Sequence, residues 1–235
     1  DELDYVEGST ATGRYLTALL RLGDLDTPEL VRVADEARWR ISSNGTRASF
    51  LIAATPYYLR QDAAQDAYFS AASSISSPRS HERVLGNVLE RTPERRTIVR
   101  LLRSARSMSS SGTKSRVLVA GASRYENDDD MREAFFAAVD SISSSDNKAR
   151  TLVALLDQGE LDQASRVALL RSAGRISSSS SLARVLDVAA RSFMNDPAPR
   201  DAFLRAAASI SSSGDHARVL VTLLRTGSLD DAALT

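Results

Sequence analysis

Cysteine is absent from all 235 residues, which removes disulfides, thiolate metal sites and cysteine nucleophiles together. The absence fits an export route, so a periplasmic or extracellular setting is favoured over a cytoplasmic one. Charge of one sign is also lacking. Lysine plus arginine totals 30, aspartate plus glutamate totals 30, and the formal net charge is zero. A dedicated nucleic-acid binder usually carries a basic excess, so nucleic acid is an unlikely partner. No apolar run approaches the ~18 residues that a membrane helix needs, so no membrane insertion is expected in this segment. The opening Asp1-Glu2-Leu3-Asp4 is not a signal-peptide pattern, and the chain reads as processed or as part of a longer protein.

What the chain does contain is a fold-forming composition, 43% hydrophobic and 26% charged, arranged in a repeat. Ser141-Ile142-Ser143-Ser144-Ser145 leads to Ala149-Arg150-Thr151-Leu152, and the pattern returns at Ile176 and Ile210. Backwards, the same register fits Met108, Ile75, Ile41 and Val6, giving anchor spacings of 35, 34, 33, 34, 34 and 34. Counting the anchor as zero, leucine stands at position +10 in all seven units: Leu16, Leu51, Leu85, Leu118, Leu152, Leu186 and Leu220. A period of this length marks a helical array in which each unit is one supersecondary element.

Each unit reads as two helices. In the first, Leu152, Leu155 and Leu156 fall on one face of a 3.6-residue period. Short polar residues before it are N-cap candidates, and Gly23, Gly159 and Gly227 are candidates for left-handed closure. Asp26, Asp162 and Asp230 then stand where the second helix needs a cap, and Pro28, Pro93 and Pro197 where its first turn tolerates proline. The second helix is lighter, as in Ala134-Phe135-Phe136-Ala137-Ala138-Val139, with small residues that permit close approach. The expected fold is all-α: a right-handed α-solenoid of about seven helix-turn-helix repeats of ~34 residues. It forms one domain over residues 1–235, with units starting near 6, 41, 75, 108, 142, 176 and 210. Thirteen or fourteen helices and no strand are expected, with the serine runs as tight turns.

The Trp-Leu-Gly-Tyr pattern of tetratricopeptide repeats is missing. The Ile-Ser-Ser-x-x-x-x-Ala-Arg-Val-Leu core resembles 34-residue helical repeats, akin to HEAT and tetratricopeptide arrays, found in bacterial envelope proteins. These include the sensor regions of antirepressor-type membrane zinc metallopeptidases. The resemblance implies an interaction or sensor region of a larger protein. The peptidase's His-Glu-x-x-His motif is absent, so no catalytic residue carries over.

Arginine recurs at position +8 in six units, as Arg14, Arg83, Arg116, Arg150, Arg184 and Arg218, with Ser49 as the exception. Stacked helices would space these arginines by ~10 Å, a candidate ligand track for an acidic peptide or another polyanion. The competing expectation is structural: each guanidinium donates to the carbonyls that end the preceding second helix, which would offset an arginine placed near a helix N-terminus. Basic or titratable residues at +6 (Arg47, His81, Lys114, Lys148 and His216) would widen such a track, and the two histidines are expected at the surface.

Three local motifs yield to the register. Gly8-Ser9-Thr10-Ala11-Thr12-Gly13-Arg14-Tyr15 is a turn and helix start, because a phosphate loop needs a lysine and a hydroxyl where Arg14 and Tyr15 stand. Asn44-Gly45-Thr46, which fits a glycosylation acceptor on paper, and Asp128-Asp129-Asp130 are likewise a helix start and a helix cap. No nucleophile–base pair, metal site or cofactor motif remains. The expected function is a non-catalytic protein- or peptide-binding scaffold, with a polyanion-binding array on the arginine ladder as the alternative.

Overall fold

The computed structural model describes residues 8–91, 93–159, 161–193 and 196–225; the anchor Val6 and the motif residues Gly227 and Asp230 lie outside them. The described residues form thirteen α-helices of 9–15 residues and no strand. The chain is therefore all-α and built from helical repeats, its helices packing in neighbouring pairs. Packing groups them into two compact units, Asp1–Gly121 and Ala122–Thr235.

The first unit contains α1 (Ser9–Leu22), α2 (Thr27–Arg40), α3 (Asn44–Tyr58), α4 (Gln65–Ser73), α5 (Pro78–Glu90), α6 (Arg95–Arg106) and α7 (Ser111–Ala122). Helices two apart in sequence lie side by side: α1 on α3 and α3 on α5 in one layer, α2 on α4 and α4 on α6 in the other. The second unit contains α8 (Asp129–Asp140), α9 (Ser145–Leu156), α10 (Gln163–Ala173), α11 (Ser179–Phe193), α12 (Pro197–Ala208) and α13 (Ser213–Arg225). There α9, α11 and α13 form one layer and α8, α10 and α12 the other.

The register predicts burial. Leu16, Leu51, Leu85, Leu118, Leu152 and Leu186 are completely buried, and the anchors from Ile41 to Ile210 are all inaccessible or nearly so. Leu220, on the last described helix, is 39% exposed. Among the aromatic residues of the second helices, Tyr68, Phe135 and Phe203 are buried, and Tyr68 on α4 packs against Tyr58 on α3.

The serine turns are fully used hydrogen-bonding devices. At −1, the hydroxyls of Ser74, Ser107, Ser141 and Ser209 donate to the carbonyls of Ala71, Ser104, Ala138 and Ala206 at 2.6–2.8 Å. At +2, the hydroxyls of Ser43, Ser77, Ser110, Ser144, Ser178 and Ser212 each accept an N–H three residues on, the N-cap pattern. At +3, the Oγ atoms of Ser9, Ser145 and Ser179 accept from the backbone N–H of Ser42, Ser178 and Ser212, one repeat later. Asn44 does the same with its amide, its Oδ1 accepting from the Ser76 N–H at 2.9 Å. One run of small polar residues thus closes a helix, opens the next and ties neighbouring repeats.

Other caps follow the sequence unevenly. Asp26 forms a capping box with Glu29, and Asp162 and Asp128 accept the N–H groups of Ser165 and Met131. Gly159 has a positive φ of 132°. Gly23 is extended at φ −123°, so α1 does not close through a left-handed glycine there. Pro93 precedes the Glu94 N-cap of α6, just outside the helix.

Leu152→Ala in α9 is expected to cost about 2–5 kcal/mol in chemical denaturation. A loss under about 1 kcal/mol would contradict the burial register.

Candidate ligand-binding groove

The position that caps the preceding second helix is +6 and not +8. Arg47, on α3, is buried and donates to the carbonyls of Ala37 and Arg38 at 3.3 and 2.9 Å, and to that of Ile41. Its other guanidinium nitrogen reaches the Ser74 carbonyl and hydroxyl at 3.0 and 2.9 Å. Lys114 donates to the Arg106 carbonyl at 3.0 Å and Lys148 to that of Asp140 at 3.5 Å. Desolvation lowers the pKa of all three, with Arg38 adding repulsion at Arg47 and Arg106 at Lys114. The C-terminal end of a helix concentrates unpaired carbonyls and partial negative charge, which favours a cation at this position and opposes that desolvation.

The proposed carbonyl role of the +8 arginines is therefore corrected. Helical geometry explains the error. Positions +6 and +10 are four residues apart and share a face, whereas +8 lies ~200° from each. The buried leucine at +10 places +6 inside and +8 outside. Arg116, Arg150, Arg184 and Arg218 are 58%, 60%, 48% and 51% exposed. The histidine expectation also fails at His81, which is buried with its Nε2 2.9 Å from the Ser104 hydroxyl, while His216 is half-buried.

Four rungs of the ladder are matched by carboxylates. Arg116 grips Glu82 with two hydrogen bonds of 2.5 and 2.7 Å. In the second unit, Asp146 sits between Arg150 at 3.4 Å and Arg184 at 2.6 Å, and these arginines hold its carboxyl below the usual range. Arg218 lies 3.4 Å from Asp187 and 3.1 Å from Asp215. Such exposed pairs add little stability, but they cancel the charge that a ligand would meet.

The first unit differs. The sequences of α1 and α3 contain no acidic residue. Arg14 and Arg83 have no hydrogen-bond or ion-pair partner among the described residues, and neither has Arg21, two turns along α1 from Arg14. All three line one open groove of ≈ 1030 Å³. Its floor on α3 is small, with Gly45, Thr46, Ser49 and Ala53 where larger side chains would fill the space. Ser49 stands at the +8 position of this repeat, so the missing rung opens the groove between Arg14 and Arg83. On α1, Gly13 deepens the contact: a Cβ there would meet the Thr46 methyl at 2.9 Å.

Sequence reasoning found Arg14 and Arg83 and noted Ser49 as the break, but missed Arg21, which lies outside the ladder register. Arg14 and Arg21 are seven residues apart, two helical turns, and that spacing was the available signal. Among the described residues there is no group of acids or histidines that could hold a metal ion, and no helix long and apolar enough to cross a membrane.

Arg47→Ala is expected to lower stability by about 1–3 kcal/mol by leaving carbonyls unpaired, whereas Arg150→Ala should stay within ~0.5 kcal/mol; equal losses would contradict the assignment of +6 and +8. A pH effect follows from His81, whose pKa burial depresses to about 4. The unfolded chain protonates this residue near 6.5, so its contribution is intact above pH 6.5 and is lost as pH falls from 6.5 towards 4. In His81→Leu, which copies the buried Leu182 at the equivalent position, this part of the acid sensitivity should vanish in urea melts at pH 7 and pH 4.5.

Compared with protein-family models, with curated proteins and with solved structures, the chain matches none.

Proposed function

We propose that the chain is a non-catalytic binding scaffold that takes a protein or peptide partner on the layer formed by its first helices, as the interaction region of a larger bacterial envelope protein would. The observation that carries this reading is the groove across α1, α3 and α5. At ≈ 1030 Å³ it is at the upper end of small-ligand sites, and it is open along its length, as a peptide requires. Its lining has arginines, hydroxyls and aliphatic surface but no carboxylate, histidine or cysteine to perform acid–base or nucleophilic chemistry.

The polyanion alternative is weakened by the charge pairing. A phosphate track needs successive uncompensated cations, and the carboxylates beside Arg116, Arg150, Arg184 and Arg218 cancel four of the six rungs.

Selection of a displayed random-peptide library against the chain tests the reading. Enriched peptides are expected to slow amide exchange in α1 and α3. Failure to enrich any peptide, or protection confined to α2 and α4, would overturn it.

A further inference from the structure

We infer that the groove on α1, α3 and α5 is selective for an acidic, extended peptide segment whose carboxylates reach Arg14, Arg21 and Arg83, and that Ser49 sets this specificity by leaving the intervening rung empty. This rests on the scaffold reading and adds the chemistry of the partner.

The first argument is charge. Three guanidiniums without partners among the described residues line one concavity whose lining has no acid. Glu82, the nearest carboxylate along α5 to Arg83, is occupied by Arg116. Guanidinium forks match carboxylates in geometry as well as charge, so the groove is complementary to Asp and Glu side chains.

The second argument is spacing. Helices two apart in sequence stack at ~10 Å, which places Arg14 and Arg83 on the order of 20 Å apart across α3. An extended chain advances ~3.3 Å per residue, so the two arginines bracket about six residues. Arg21 lies ~10 Å from Arg14 along α1, at the end of the groove where Leu22 is 88% exposed. A peptide crossing α3 would lay its backbone over Ser49, with Gly45 and Ala53 one helical turn to either side, where no bulky side chain stands in its way.

The third argument separates a peptide from nucleic acid. Single-stranded nucleic acids are gripped by aromatic platforms on which bases stack. The one aromatic residue in the lining, Phe50, is 2% exposed and offers no open ring face. The exposed groove surface is instead hydroxyl and methyl, from residues such as Thr10, Thr46 and Ala18, which suits a polypeptide backbone and short side chains.

The roles of charge and shape can be told apart at position 49. Ser49→Arg restores the ladder residue: it adds positive charge to the face but blocks the channel. A site that recognises only negative charge would bind more tightly after this change, whereas a groove for an extended peptide would lose affinity.

The test uses the whole chain and fluorescence anisotropy at two salt concentrations. The probes are a labelled acetylated octapeptide of alternating Glu and Ala, its Gln/Ala counterpart, and an eight-nucleotide oligothymidylate. The Glu peptide is expected to bind at least ~10-fold more tightly than the Gln peptide. Arg14→Gln and Arg83→Gln should each weaken it roughly 3–10-fold, and Ser49→Arg at least ~5-fold, while Arg150→Gln and Arg184→Gln change it less than ~2-fold. Helical circular dichroism checks that each exposed-site variant is folded. The inference is overturned if Ser49→Arg binds as well or better, if oligothymidylate binds more tightly than the Glu peptide, or if the paired rungs matter as much as Arg83. Equal binding of the Glu and Gln peptides in the groove would remove the acid specificity and leave the scaffold reading standing. Binding of neither peptide, together with no enrichment from the random library, would remove both.

Discussion

Every turn of a helical repeat must satisfy the same set of unpaired groups: the last carbonyls of one helix and the first N–H groups of the next. In this protein these groups meet at the serine turns, and the other features of the array depend on how they are paired there. A hydroxyl at −1 closes the outgoing helix and a hydroxyl at +2 opens the incoming one. A buried cation at +6, where present, reaches back to the terminal carbonyls. Leaving such groups buried and unpaired would cost about 1–3 kcal/mol apiece, and the cost would recur at each repeat. The composition follows from this requirement. Serine is abundant because a short side chain with both a donor and an acceptor fits each of these positions.

The same turn couples repeats to one another. The +3 hydroxyl of one repeat receives a backbone N–H from the next, as between Ser145 and Ser178 or Ser179 and Ser212, and Arg47 bonds both to the helix before it and to Ser74 after it. Nearest-neighbour coupling is what gives a repeat array its cooperativity. Here it includes directed polar bonds as well as the contacts of buried leucines, which fixes the register of adjacent helices and so the alignment of side chains on the outer face.

Much of this was legible because periodicity and burial are linked. The +10 leucines and the isoleucine anchors identified the core, and Asp26 and Asp162 marked real helix starts. The partner of each charged residue was less legible. A recurrent arginine at +8 and a varied basic residue at +6 invite the inference that the more regular position is the structural one, and here the reverse holds. Arg47, Lys114 and Lys148 share a position with His81, Leu182 and Thr12, all buried, and with His216, half-buried on the last described helix. The site demands burial and tolerates several ways of filling it, whereas +8 keeps arginine on the solvent side. The helical angle from the +10 leucine would have separated the two positions. The acids that pair with +8 could not have been found by register, since Glu82, Asp146, Asp187 and Asp215 stand at four different positions of the repeat.

That irregularity bears directly on the proposed function. A face of exposed arginines held at repeat spacing is by default a nonspecific anion surface, and specificity requires that most of it be silenced. The scattered carboxylates do this for Arg116, Arg150, Arg184 and Arg218 without changing the turn that sets the register. What remains is the stretch where α1 and α3 have no acid and Ser49 replaces the rung. Because the structural work is done at +6, on the opposite side of the helix, position +8 is free to vary. A single change from arginine to serine can therefore open a groove at no cost to the capping of the repeat. The division of labour between two positions ~200° apart on one helix is what would let an almost uniform array carry the proposed local binding site.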